Sequence, residues 1–257
     1  MKAFTRQVYG GPEILKMEEI TRAEPASKEV QVQVMANSAN PADLHILSGC
    51  PFFARFNYGL FKPKNKLIGS DFAGIIVAVG KDVADFKPGD HVFESTLAGG
   101  AFAEYLNVPG DACAIMPEGA DFHEMASLPI AGVTALEALV HYGKLQPGEK
   151  VLINGATGGV GHFAVQIAKA LGARVTAVCS ANSSPFARQL GADEVLAYEE
   201  TDLRHHQGQY DLVVDAYGNL RYKDFKRIGK RGVAIGFTNM KTLLSLAIKK
   251  KSGKFPF

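Results

Sequence analysis

The stretch from Lys150 to Ser180, KVLINGATGGVGHFAVQIAKALGARVTAVCS, decides the fold. Val151-Leu152-Ile153 is a short apolar run of the kind a buried parallel strand carries. Gly155, Gly158, Gly159 and Gly161 follow as a turn with room for unusual backbone angles and for close approach of another molecule. Val160, Ala164, Ile167, Ala168 and Leu171 then recur at helical spacing, and Gly172 stands where a helix C′ residue belongs. Val175 to Cys179 is a second apolar run. Strand, glycine turn, helix and strand within about 30 residues make one βαβ unit.

A helix N-terminus carries unpaired N–H groups and partial positive charge, so the turn is a seat for a phosphate. The spacing Ala156-x-Gly158-x-x-Gly161 is the dinucleotide fingerprint with alanine in place of the first glycine. A plain tight turn in an α/β protein is the alternative. Nicotinamide proteins that use NAD place an acid at the end of the second strand, about 20 residues past the turn, for the ribose hydroxyls. Here that end reads Val178-Cys179-Ser180-Ala181-Asn182-Ser183, with no acid before Asp193. Hydroxyls and amides accept a 2′-phosphate that a carboxylate would repel, so NADP(H) is the cofactor expected.

After Ser180 the alternation continues. Ser184 to Leu190 is a short helix, Glu194 to Leu196 a third strand, Leu212 to Val214 a fourth and Val233 to Ile235 a fifth. Strands alternating with helices imply a parallel sheet covered on both faces. Upstream, residues 1–120 are β-rich: Val30 to Val34 alternates as VQVQV, residues 72–79 form another strand, and Gly and Pro punctuate the rest. Ala126 to Tyr142 is helix-like. The domains expected are 1–120, a turn-rich β domain, and 121–257, the dinucleotide-binding domain.

Composition narrows the function. Of 257 residues 47% are hydrophobic and 21% charged, and the net charge is +2, which excludes a general nucleic-acid surface. No apolar run reaches the roughly 18 residues of a membrane span, since Glu137 interrupts residues 127–140. Cys50, Cys113 and Cys179 form no C-x-x-C pair, which argues against a disulfide framework or a cysteine-rich zinc site and places the chain in a reducing cytoplasm.

Several separated motifs carry a family resemblance: Asn40-Pro41-Ala42-Asp43, Gly69 to Gly74 (GSDFAG), Val79-Gly80, Phe86 to Phe93 (FKPGDHVF), Gly100 to Tyr105 (GAFAEY), Ala131 to Ala135 (AGVTA), Gly155 to Gly161 and Leu190 to Asp193 (LGAD). Together the chain resembles the medium-chain dehydrogenase/reductase superfamily, and within it the zinc-independent quinone-oxidoreductase-like branch. The resemblance implies an α/β protein with an N-terminal GroES-like β domain, a C-terminal Rossmann domain, and an active site in the cleft between them. It implies a homodimer and a chain some tens of residues longer than one ending at Phe257. The missing part would add a last strand and a return segment, and its loss would leave an open sheet edge behind a solvated basic tail, Lys249 to Lys251.

In the zinc alcohol dehydrogenases of that superfamily the catalytic metal has three protein ligands. Asn40, Ser70 and Ile130 stand at those positions here, and none is a Cys, His or carboxylate; no metal is expected. Without a Lewis acid, hydride addition to an already electrophilic quinone or enone is the accessible chemistry. Asn40 could donate a hydrogen bond to substrate or cofactor, with Ser70 a further candidate. His45, close to Asn40 in sequence, and Tyr58 are candidate acid/base groups. Phe52, Phe53, Phe56, Tyr58 and Phe61 are candidate walls of an apolar pocket. The cofactor contacts implied are Asn40, Thr134 and the turn residues Ala156, Thr157, Gly158, Gly159, Val160 and Gly161. Ser180 and Tyr198 match the contacts to the 2′-phosphate, and Gly236 completes the set. A nicotinamide-binding protein without turnover and a zinc-free alcohol or aldehyde reductase are the competing readings.

Overall fold

In the computed structural model, which describes residues 1–52 and 55–236, the VQVQV alternation lies inside a ten-residue strand. The first compact unit, Met1–Ile130, holds it. Its strands are β1 (Lys2–Thr5), β2 (Lys16–Glu19), β3 (Glu29–Ser38), β4 (Asp71–Val79), β5 (His91–Ser95), β6 (Tyr105–Pro109) and β7 (Ala114–Ile115). β1 and β2 form a separate antiparallel pair, and the others form an antiparallel sheet in the order β6-β3-β4-β5-β7. Val30, Val32, Phe72, Ile76, Val92 and Val108 fill its core. Gln31, on the polar side of the alternation, is buried as well, because its amide is satisfied by Ala23 O at 2.6 Å and Asn107 Oδ1 at 2.9 Å. Helices α1 (Pro41–Ser48) and α2 (Arg55–Tyr58) interrupt the strands, and α3 (Phe122–Ser127) packs on β3 and β4. Phe53 and everything from 237 onward, including the expected free edge and the basic tail, lie outside the described residues.

One half-buried acid in this unit is not part of the candidate site. Glu94, on β5, accepts a hydrogen bond from Cys113 Sγ at 3.6 Å. Burial pushes the Glu94 carboxyl up to about 7, and Asp111 adds to the shift. The folded chain therefore holds this proton more tightly than the unfolded chain does. Its stability should rise as pH falls from above 7 toward 4.5 and level off below that. Glu94→Gln mimics the protonated form. It should stabilise the chain by about 1–2 kcal/mol at pH 8, after allowance for solvent screening, and leave it nearly unchanged at pH 3.5, below the unfolded value. Thermal melts of both chains at the two pH values check this; equal shifts at both would refute it.

The second unit begins at Ala131, inside α4 (Pro129–Leu136). The helix expected over Ala126 to Tyr142 is broken, because Pro129 cannot continue α3 and the chain restarts with that proline as a first residue. π-helical turns follow over Glu137–Tyr142. Then come β8 (Lys150–Asn154), α5 (Gly159–Ala170), β9 (Arg174–Cys179), α6 (Ser184–Gln189), β10 (Glu194–Ala197), β11 (Tyr210–Asp215), α7 (Tyr222–Ile228) and β12 (Gly229–Ala234). The five strands are all parallel in the order β10-β9-β8-β11-β12. Counted within the unit this is 3-2-1-4-5, the doubly wound order, with the sheet reversing direction beside β8. The Rossmann domain expected from the glycine unit is thus present. One apolar cluster packs α5 on Val151, Ile153 and Val175, and a second packs Phe225 and Ile228 on Leu152 and Val213, so both sheet faces are covered. Among the described residues no helix is long and apolar enough to cross a membrane.

Candidate functional site

The glycine turn leaves β8 at Asn154. Gly155 takes φ 79°, a left-handed conformation that glycine adopts without strain. Gly155 N and Ala156 N both donate to Val178 O, each at 3.0 Å, which ties the turn to β9. Ala156 is fully buried, while Gly158 and Gly159 are exposed. A Cβ on Gly161 would overlap Gly155 O, so α5 can approach the turn only without a side chain there. A Cβ on Gly159 would meet no atom of the described residues within 4 Å. The first turn of α5 therefore faces open space with the N–H groups of Gly159 and Val160 unpaired within the helix, and that turn carries no acid. Thr157 is half-buried beside it. His162 lies one turn in, its Nδ1 donating to Gly158 O at 3.0 Å.

A second cluster forms where β9 and β10 end side by side. Tyr198 N donates to Cys179 O at 3.1 Å, which sets the largely exposed Tyr198 next to Ser180. Ser180 Oγ donates to Ser183 Oγ at 2.9 Å. Two arginines near this strand, Arg188 and Arg174, lie at opposite ends of it. Arg188 acts electrostatically on Cys179, at the C-terminal end of β9, and Arg174 acts on Asp193 at the strand's opposite end. The sequence reading missed Glu199, whose Oε2 accepts from Ala181 N at 3.1 Å. Its place one residue past Tyr198 was the available signal, because adjacent parallel strands end together.

The third part is the end of β11. Asp215 is completely buried and accepts from Gly218 N at 2.8 Å, Leu220 N at 2.7 Å, Tyr217 N at 3.2 Å and Asn154 Nδ2 at 2.8 Å. Burial pushes its carboxyl up, and those N–H bonds draw it back. Asn154 Nδ2 also reaches Asn219 Oδ1 at 2.8 Å. The loop so held borders a cavity of about 800 Å³ with Gly155, Tyr198, Tyr217 and Arg221 in its wall. Gly236 follows β12, near Asp215 through the Ile235 N to Asp215 O bond of 3.0 Å, and a Cβ on it would meet no atom of the described residues within 4 Å. Thr134 is half-buried on α4.

In the first unit, two buried carboxylates join the positions singled out for a metal. Asp43 accepts from Asn40 N at 2.7 Å and from Ser70 Oγ at 2.7 Å. Asp71 Oδ2 accepts from Asn40 Nδ2 at 3.0 Å and from Ile130 N at 3.1 Å. Burial pushes the Asp71 carboxyl up, and the Ile130 N–H draws it back. Asn40, Ser70 and Ile130 are thus brought into one network. Both amide hydrogens of Asn40 are directed inward, since Nδ2 also donates to Ser38 Oγ at 3.3 Å. His45 is not part of the network: it is exposed and its Nδ1 donates to Cys50 O at 2.9 Å. Tyr58 ends α2, half-buried. Phe52, Phe56 and Phe61 are largely exposed, with Phe52 and Phe56 in edge contact at 6.5 Å.

Comparison with known proteins places this geometry. Residues 26–118 match the model of the alcohol dehydrogenase GroES-like domain, and residues 159–242 match that of the zinc-binding dehydrogenase. The chain is 36% identical to a chloroplast envelope quinone oxidoreductase homolog of Arabidopsis thaliana, over 97% of this chain and 79% of that protein. Among solved structures it superposes on Escherichia coli quinone oxidoreductase complexed with NADPH with a TM-score of 0.81, at 28% identity, covering 99% of this chain and 79% of the other. It superposes on the CurK enoyl reductase with a TM-score of 0.82, at 26% identity, covering 99% and 79%.

Proposed function

The chain belongs to the quinone-oxidoreductase-like branch of the medium-chain dehydrogenase/reductase superfamily, and we propose that it reduces a quinone or an α,β-unsaturated carbonyl with NADPH and without zinc. The observation that carries this reading is the open, acid-free first turn of α5 at Gly159, whose shape and partial charge fit a pyrophosphate. Ser180, Tyr198 and Arg188 supply two hydroxyls and a positive charge for a 2′-phosphate at the end of β9. The relatives' printed activities, quinone and enoyl reduction, support the same class of acceptor. Bound NADPH supplies the hydride.

The chain's own residues bind and orient. The β11 loop held by Asp215 walls the cavity that suits the adenosine half, at the strands' C-terminal ends. Around Asn40 the protein offers an amide, a serine hydroxyl and a backbone N–H, which is a set for positioning rather than for ligating a cation. A substrate oxygen can take a hydrogen from Asn40 only by displacing Asp71 or Ser38; the bond to Ser38, at 3.3 Å, is the weaker of the two. Tyr58 is the phenol this reading assigns to the proton that follows hydride addition, and the exposed Phe52 and Phe56 suit an apolar acceptor.

Titrating the purified chain with NADPH by fluorescence should give saturable binding. NADPH absorbance should then fall in the presence of a quinone or an enal, and prior treatment with a chelator should change nothing. Asn40→Ala should lower turnover about tenfold, the usual scale for loss of a positioning contact. Binding without turnover across a broad acceptor panel, or activity lost to the chelator, would overturn the proposal.

A further inference from the structure

We propose that Glu199 limits this chain's preference for NADPH over NADH. The inference rests on the cofactor reading above and concerns the corner where β9 ends. In a sheet of this strand order that corner receives the ribose of the adenosine half, and an acid there distinguishes a free 2′-hydroxyl from a 2′-phosphate. The sequence shows no acid on β9 or on the residues directly after it. The fold supplies one from the neighbouring strand: Glu199 follows β10, and its Oε2 accepts from Ala181 N at 3.1 Å, one residue past Ser180. A second observation puts its charge in the same place. Burial pushes the Cys179 thiol up, Glu199 adds to that, and Arg188 opposes it. Glu199 is exposed and borders the same cavity as Tyr198, one of the two hydroxyls proposed for the phosphate.

The corner is therefore of mixed sign. Ser180, Tyr198 and Arg188 favour a 2′-phosphate, which carries between one and two negative charges at neutral pH. Glu199 repels it and offers a ribose diol the acceptor that NAD-binding proteins use. The net result is a narrow discrimination in which both cofactors bind, NADPH better than NADH.

The test is the dissociation constant of each cofactor, measured by fluorescence for the wild-type chain, Glu199→Gln and Glu199→Lys. Glutamine keeps an oxygen for Ala181 N, so the bond remains and only the charge goes. Glu199→Gln should tighten NADPH about tenfold and weaken NADH a few-fold, with Glu199→Lys moving the ratio further. The gain should shrink when salt is raised to 0.5 M, because exposed charges are screened. A wild-type chain that binds neither cofactor would overturn the cofactor reading, and this proposal with it. A wild-type chain that binds NADPH, but whose two variants leave the NADPH-to-NADH ratio unmoved or shift both constants equally, would overturn this proposal alone.

Discussion

Gly161→Ala should abolish NADPH binding at ordinary concentrations, raising the dissociation constant a hundredfold or more. The methyl would sit on Gly155 O and 2.8 Å from Ala156 C, both backbone atoms that cannot rotate away. Gly155 has little room to retreat, since its own Cβ direction meets Tyr217 at 3.1 Å. The N-terminus of α5 must therefore move off the turn, and overpacking of this kind costs about 1–3 kcal/mol. At about 2–4 °C per kcal/mol, the melting temperature should fall by several degrees. Gly159→Ala separates binding from folding. Its methyl meets no atom of the described residues within 4 Å, so the melting temperature should hold. The space it enters is where the phosphate approaches the helix N-terminus, so NADPH should still weaken about tenfold. Melts and fluorescence titrations of both variants decide the matter. A Gly159→Ala chain with unaltered NADPH affinity would place the phosphate elsewhere.

That contrast also shows what the sequence makes legible. The strand, turn and helix of residues 150–180 lie within a residue or two of their expected bounds, because each signal is local. Ala164 and Ala168, two of the apolar residues that recur at helical spacing, are fully buried. The fifth strand was harder to read. It was expected at Val233 to Ile235 and runs over Gly229–Ala234, because Gly229, Lys230 and Arg231 do not look like sheet until pairing with β11 is known. His45 illustrates the limit of proximity in sequence. Five residues along a helix turn a side chain through about 140° net, so nearness to Asn40 in the chain put it on another face. The carboxylates of Asp43, Asp71 and Asp215 are buried hubs, yet by type alone an aspartate is a surface residue. Glu199 meets Ala181 across 18 residues, a contact that only the parallel pairing of β9 and β10 creates.

Of those hubs, Asp215 carries the second large effect. Asp215→Ala should destabilise the chain by about 4 kcal/mol, because buried donors stripped of an acceptor cost roughly 1–3 kcal/mol each. Four donors converge on this carboxylate: three backbone N–H groups of one short loop and the Asn154 amide from β8. Water in the adjoining cavity can reach some of them, which keeps the total below the sum of four full penalties. The melting temperature should drop by about 10 °C, and NADPH binding should go with it, since the loop and Tyr217 form the cavity wall beside Gly155. Asp215→Asn is the sharper probe. Its oxygen can still serve the donors now on Oδ1, but its NH₂ then faces Leu220 N, donor against donor. Roughly half the loss should remain, about 2 kcal/mol, with only a few-fold effect on NADPH. If Asp215→Asn instead matched Asp215→Ala in both melting temperature and affinity, the negative charge, and not the count of accepted hydrogen bonds, would be what holds the loop.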